Sequence, residues 1–298
     1  MVTVHQDICS GCGRCAMVCP HRLLRMVDRR PVLGDGECMG CGHCQAVCPA
    51  GAVQVEGLST ALGLATMAER LAAIQPGEYD SERLVQLLRS RRSCRNYTRQ
   101  EVALALLEDL VRIGTTAPSG TNSQLWSFYL LPRRPDVEEL GGLTADFFRQ
   151  LNRMAKNPLY RFLSRLVLMK ELANYYRQYY PAVVQALRQW DEEGIDRLFH
   201  GATAAIVVTC RKTASCPAED AMLASQNILL AAHAIGLGSC LIGYVVEAMR
   251  RSARMRRRLS IPAEEEIYSV IALGYPAVAY SRVGGRRPVR PQVVHLAR

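Results

Sequence analysis

Two cysteine runs dominate the first 50 residues, CSGCGRCAMVCP at 9–20 and CMGCGHCQAVCP at 38–49. Cysteines stand at 9, 12, 15 and 19, and again at 38, 41, 44 and 48, so these runs use eight of the 12 cysteines. In C-x2-C-x2-C one tight loop aims three thiolates at one face of a metal cluster, and a fourth sulfur must come from elsewhere. Zinc sites built from four cysteines use two C-x2-C pairs rather than a triplet plus one. The pattern therefore predicts two [4Fe–4S] clusters. Gly11, Gly13, Gly40 and Gly42 suit a backbone that wraps closely round such a group, and Pro20 and Pro49 turn the chain after the last ligand. No apolar leader precedes the first run, since His5 and Asp7 interrupt it. Clustered thiols of this kind point to the reducing cytoplasm, where they bind metal rather than pair as disulfides.

Residues 1–57 resemble the bacterial two-cluster ferredoxins, with every ligand in place. In that arrangement the fourth cysteine of each run serves the other cluster. One cluster is then expected on Cys9, Cys12, Cys15 and Cys48, the other on Cys19, Cys38, Cys41 and Cys44. Such a unit carries one electron per cluster and does no chemistry on an organic substrate by itself. Cys94, Cys210, Cys216 and Cys240 have no spacing for a further site. Cys210 and Cys240 read as buried packing, and His43 as a loop residue.

Electrons need an acceptor, and four later segments could supply its site. RRSCRNY at 91–97 gathers Arg91, Arg92 and Arg95 around Ser93, and guanidinium forks match phosphate oxygens. APSGTNSQLWSF at 117–128 offers a Pro118–Ser119–Gly120 turn with free amides, followed by Asn122 and Gln124. GLGSCLIG at 236–243 could lay bare backbone against a flat ring, though it is not a G-x-G-x-x-G fingerprint. RVGGRRPVR at 282–290 brings arginine again. In this order the segments resemble the nitroreductase family of flavin enzymes over residues 81–298.

That resemblance implies FMN. Arg91, Ser93 and Arg95, with Arg92 beside them, would hold its phosphate and ribityl chain. Pro118, Ser119, Gly120, Asn122 and Gln124 would reach it from the neighbouring subunit of a homodimer. Gly238, Ser239, Cys240, Leu241, Ile242 and Gly243 would lie near the ring, and Arg286 or Arg287 would clamp the phosphate. Some relatives carry a glutamate after the glycine segment. Here the sequence reads LIGY, so no catalytic acid is assigned. The expected activity is an FMN-dependent oxidoreductase in which the clusters exchange electrons with flavin and the flavin with a small organic substrate, such as a nitroaromatic or quinone. An external donor of ferredoxin or flavodoxin type would supply the clusters. Two alternatives stay open: an NAD(P)H-dependent flavoenzyme with structural or regulatory clusters, and a non-catalytic electron-transfer or redox-sensing protein.

The elements that must position these residues are of mixed type. The offset of 29 residues between Cys9 and Cys38 marks an internal duplication, and AVQV at 52–55 reads as a closing strand. Residues 58–80 are a linker, in which 61–74 has helical spacing before PGEYD breaks it. Residues 81–92 form an amphipathic helix with Ser81 as N-cap, and 104–118 a second helix ended by Gly114 and Pro118. Strands fall at 125–131, 204–210 and 268–276. Residues 143–200 read as helical throughout, a lid-like insertion rich in aromatics from Phe147 to Tyr180. Residues 221–236 form an apolar helix, uncharged like the whole stretch 221–246, but interrupted by Gln226, Asn227, His233 and three glycines. It is expected to be buried in protein rather than to span a membrane. Helices outnumber strands without regular alternation, which gives an α+β class: a small duplicated cluster domain at 1–57 and a flavin-binding domain at 81–298.

The 298 residues are 49% hydrophobic, enough for a sizeable core. The formal charge of +10 lies wholly beyond residue 57. Its densest run, RRSARMRRR at 250–258, reads as a solvated helix face. It has no aromatic residues and no nucleic-acid motif.

Overall fold

The structure is a computed structural model of the whole chain; described are residues 1–157, 159, 174–175 and 177–296. The N-terminal unit is built from two copies of strand, short helix and strand. The first copy comprises β1 (Val2–Val4), a helix at Arg14–Met17 and β2 (Leu24–Val27). The second comprises β3 (Arg30–Leu33), a helix at His43–Ala46 and β4 (Val53–Val55). Pairing is exchanged between the copies. β1 pairs antiparallel with β4, and β2 with β3. Thr3 faces Gln54 and Val32 faces Arg25, so the registers match when each copy is shifted onto the other. Val2, Leu24, Val53 and Val55 form a small core with Cys15 and Cys44.

The linker does not form the helix that its spacing suggested. Residues 61–74 run without helix or strand. Their amides are taken by carboxylates instead: Glu69 accepts from Leu62 and Gly63, and buried Asp109 accepts from Ala65 and Thr66. Tertiary partners thus override a local preference.

The second unit is a three-layer sandwich. Its sheet runs β5 (Trp126–Leu131), β6 (Ala204–Arg211), β8 (Glu265–Gly274), β7 (Gly238–Leu241), antiparallel throughout. β6 alternates between two apolar faces, because the sheet is covered on both sides. Ala205 and Val207 join Val137, Leu140, Phe148, Val245 and Met249. Ile206, Val208 and Cys210 join Leu107, Leu110, Ile228 and Leu229. Helices at Arg134–Lys156 and Gly243–Arg251 cover the first face, and Leu104–Gly114 and Pro217–Ala234 the second.

Several boundaries move. The Ser81–Ser90 helix is capped by Asp80, not Ser81, its carboxylate accepting from the Arg83 amide at 3.0 Å. Helix begins at Arg134, ahead of the expected 143, and residues 194–200 are not helical: the Tyr180–Glu193 helix ends on left-handed Gly194. Tyr160, Phe162 and Tyr176 of that expectation lie outside the described residues. GLGSCLIG contains the edge strand β7, which its glycines and serine concealed. The arginine run is no bare solvated face. Arg256 donates to the carbonyls of Pro262 and Glu265 at 2.6 Å, Arg250 to that of Ile267 at 2.7 Å, and Arg258 makes a forked pair with Glu139. Among the described residues no helix is long and apolar enough to cross a membrane.

Candidate functional site

The two cysteine loops have the same local build. Left-handed glycines, Gly11 and Gly13 in one and Gly40 and Gly42 in the other, let the chain curl into each short helix. The amides of Gly11 and Gly40 donate to the Cys9 and Cys38 sulfurs at 3.4 Å, and those of Leu23 and Ala52 to Cys19 and Cys48 at 3.3 and 3.2 Å. Amide donors aimed at sulfur stabilise thiolate. Burial pushes the Cys15 and Cys44 thiols up. The sulfurs of Cys48 and Cys9 act on Cys15, and those of Cys41 and Cys38 on Cys44. One cavity is lined by Cys19, Cys38, Cys41 and Cys44 together with Val2, Leu24 and Val55. The fourth cysteine of the first run therefore sits with the second triplet, and Cys48 sits with the first. Thiolate donors, amides pointing at sulfur and an apolar surround fit iron–sulfur clusters.

In the second unit, Arg91–Arg95 lies along β7. Ser93 bridges Ser239 in parallel, and the Cys94 amide donates to the Ser239 carbonyl at 2.9 Å. This approach needs glycine at 238, because a Cβ there would stand 2.7 Å from the Cys94 sulfur. Tyr97 rivets the segment, its hydroxyl donating to the Cys94 carbonyl at 3.0 Å. Burial raises the Cys240 thiol, against the pull of Arg95, Ser93 and Arg91 around it. His233 and His200 are depressed by burial; Arg91 adds to this at His233, and Arg95 and Arg197 at His200, while Asp196 opposes it there. Arg92 packs against Gly284, where a Cβ would collide with its guanidinium. Arg91, Ser93 and Arg95 thus form, with β7, a strip rich in cations and hydroxyls that fits an anionic group such as a phosphate. Arg286 and Arg287 are exposed, and Arg286 turns back on the Gly285 carbonyl. Their neighbour Gly284 packs on Arg92, which brings this segment beside Arg91–Arg95.

The Pro118–Gln124 segment is elsewhere. Asp220, at the start of the Pro217–Ala234 helix, accepts from the Gly120 amide at 2.8 Å and the Ser123 hydroxyl at 3.3 Å. His233, beside Arg91, is at the other end of that helix. At 1.5 Å per residue the two points are roughly 20 Å apart. Within one chain these two predicted flavin segments are not brought together. Instead Asn122 donates its side-chain amide to the Gly40 carbonyl at 2.7 Å, which ties this loop to the second cysteine loop.

Sequence reasoning missed two features. Behind Tyr244, which follows Gly243, lies an apolar cavity of ≈ 160 Å³ lined by Thr144, Phe148, Leu187, Trp190 and Leu198, with Arg197 as its cation. Buried Glu265 accepts from Ser127 and Tyr129 at 2.8 and 2.9 Å and from Thr209. These three hydroxyls outweigh burial and depress its pKa. No local motif marks either feature; both arise from distant segments meeting.

The nitroreductase family model matches residues 88–275, and a 4Fe-4S dicluster domain matches residues 8–52. An NADH dehydrogenase/NAD(P)H nitroreductase of Methanothermobacter thermautotrophicus is 26% identical over 230 residues, covering 74% of this chain and 90% of that one. Human iodotyrosine deiodinase 1 is 24% identical over 200 residues, 66% of this chain and 62% of its own. A Bacteroides fragilis nitroreductase solved with bound FMN aligns over 72% of this chain and 98% of its own, with 19% identity and a TM-score of 0.49.

Proposed function

We propose that this chain, which belongs to the nitroreductase family and carries a 4Fe–4S dicluster domain ahead of it, passes electrons between its two clusters and an FMN that acts on a small organic substrate. The observation that carries this reading is the convergence of Arg91–Arg95 on β7, in a chain whose dicluster unit is hydrogen-bonded to the flavin unit through Asn122.

In this reading, Cys9, Cys12, Cys15 and Cys48 hold one cluster and Cys19, Cys38, Cys41 and Cys44 the other. Arg91 and Arg95 hold the FMN phosphate by charge-assisted hydrogen bonds, and Ser93 adds a hydroxyl. The backbone at 238–243 sets the ring plane. Bound flavin can gather single electrons and release them as a pair, which matches one-electron clusters to two-electron organic chemistry. The apolar cavity behind Tyr244 suits the uncharged body of an aromatic substrate, with Arg197 available to a polar substituent.

The protein is proposed to work as a homodimer. The roughly 20 Å between the Asp220 and His233 ends of one helix keeps Asn122 and Gln124 from the flavin strip of their own chain. A second copy is needed to bring them to it. The relatives' names cover both NAD(P)H nitroreduction and iodotyrosine deiodination, so membership of the family does not choose the substrate.

The test is anaerobic. Purified protein is mixed with a reduced low-potential ferredoxin while cluster and flavin absorbance are followed. Flavin bleaching after cluster reduction is expected. Reduced clusters beside a flavin that stays oxidised would refute the reading. Fast NAD(P)H-driven bleaching that survives loss of the clusters would favour the alternative in which they are structural.

A further inference from the structure

The two cysteine loops are near-copies, and they differ at one place that matters. In the first loop, the space beside Gly11 is filled from within the same unit: a Cβ there would lie 2.5 Å from the Arg29 carbonyl. Arg30 adds hydrogen bonds to the carbonyls of Gln6 and Cys9. In the second loop, the space beside Gly40 is open, with nothing within 4 Å of a Cβ. The duplication explains this. The counterparts of Arg29 and Arg30, 29 residues on, are Leu58 and Ser59, where the chain leaves the unit as linker. The flavin unit meets the second loop at the Gly40 carbonyl, between Cys38 and Cys41, where the Asn122 amide reaches it. The loop that carries Asn122 is strained to do so: Thr121, Asn122 and Gln124 have φ of 54°, 54° and 48°. Three non-glycine residues in the left-handed region are held only where surrounding structure over-determines them.

We propose that the cluster on Cys19, Cys38, Cys41 and Cys44 is the outlet to the flavin unit, and that it delivers electrons to the FMN held by the other copy of the chain. The cluster on Cys9, Cys12, Cys15 and Cys48 is then the inlet. This rests on the reading above, in which Asn122 completes a flavin site whose arginines belong to the second copy. Electrons balance as follows. A one-electron donor of ferredoxin or flavodoxin class reduces each cluster once. The two clusters are reoxidised one electron at a time. One oxidised FMN takes both electrons and one solvent proton to become the anionic two-electron-reduced flavin. Each dicluster unit thus holds the electrons for one flavin.

Mixed dimers of the full chain, loaded with iron and FMN, test this. In the trans dimer one copy carries Arg91→Ala and Arg95→Ala, and the other carries Cys38→Ser and Cys41→Ser. In the cis dimer one copy carries all four changes and the other none. Each retains one flavin strip and one intact cluster pair, checked by flavin and iron content. Ferredoxin-driven bleaching is expected at the wild-type rate in the trans dimer and at least about tenfold slower in the cis dimer. The reverse pattern would overturn the proposal. A second readout needs no turnover. Hydrogen exchange of residues 38–42 should quicken by about tenfold in Asn122→Ala, as expected for loss of one hydrogen bond, with residues 9–13 unchanged. Unchanged exchange at 38–42 would also overturn it. Failure of the underlying reading looks different: full flavin retention by the Arg91→Ala, Arg95→Ala chain, or a monomer with full flavin content.

Discussion

Asp109 should act as the latch that holds the linker to the flavin unit. Its side chain is fully buried. One oxygen accepts from the Thr66 amide at 2.7 Å, the Thr66 hydroxyl at 2.6 Å and the Ala65 amide at 3.0 Å. The other accepts from Ala65 at 2.9 Å and from Arg112 at 2.9 Å. Burial alone would raise its pKa, but these donors more than offset it and hold the group at about 2. Asp109→Asn keeps the shape and turns one acceptor into a donor that faces donors. Ala65 and Thr66 are exposed, so water can satisfy their amides once the linker lifts. The loss is then that of one or two charge-assisted hydrogen bonds, about 2–3 kcal/mol. Opening of the linker should become roughly 30–150-fold more frequent. Exchange of the Ala65 and Thr66 amides in intact protein measures this directly, and trypsin cleavage after Arg70 should quicken in parallel. Unchanged exchange at both amides would refute the latch. The pH dependence has a definite sign. A depressed carboxylate stabilises above its unfolded value of about 3.9, and that stability is lost as pH falls from there through about 2. The protection factor of the wild-type Thr66 amide should therefore stay high at pH 5 and fall only in stronger acid.

Other expectations follow from single contacts. Arg91→Ala and Arg95→Ala should each weaken flavin retention by about 1.5–3 kcal/mol, read by equilibrium dialysis of FMN; unchanged affinity in the double variant would remove the phosphate assignment. Gly238→Ala would put a Cβ 2.7 Å from the Cys94 sulfur and should cost about 1–3 kcal/mol, seen in thermal melting together with flavin loss. Burial and the hydrogen bond to Glu265 push Tyr129 up to about 12, so its neutral form stabilises the fold below the ordinary tyrosine value. That contribution should fade as pH rises from about 10 toward 12, and Glu265→Gln should flatten the alkaline limb of the melting profile. Gly141→Ala would place a Cβ 2.9 Å from the Trp190 ring, so it should shift tryptophan fluorescence and narrow the apolar cavity.

What the sequence disclosed was set by the range of the forces involved. The cysteine runs were legible because a cluster loop is local: three ligands, two glycines and a proline lie within a dozen residues. The exchange of Cys19 and Cys48 between loops was implied by the resemblance to two-cluster ferredoxins. RRSCRNY could be read as an anion-binding segment from composition, and its partner strip from the glycines of GLGSCLIG. That strip is also a strand, which its residues do not favour; pairing with β8 imposes it. The linker misled for the opposite reason. Its apolar spacing is helical, yet Asp109 and Glu69 capture its amides, and neither is visible from residues 61–74 alone. Asn122 was singled out as a flavin residue. Its bond to Gly40 joins residues 82 apart in the chain, which only the folded chain reveals.

The exchanged strands of the N-terminal unit also set a timetable for its synthesis. β1 is made well before its partner β4, which begins at Val53. At about 5–20 residues per second, β1 waits roughly 3–10 s for that partner. Through this interval the triplet Cys9, Cys12 and Cys15 is complete but lacks the strand and the Cys48 sulfur that enclose it. A chain stopped before residue 53 has no β1–β4 sheet and leaves these thiols open to oxygen. The first triplet is therefore enclosed only in a chain already past Val55.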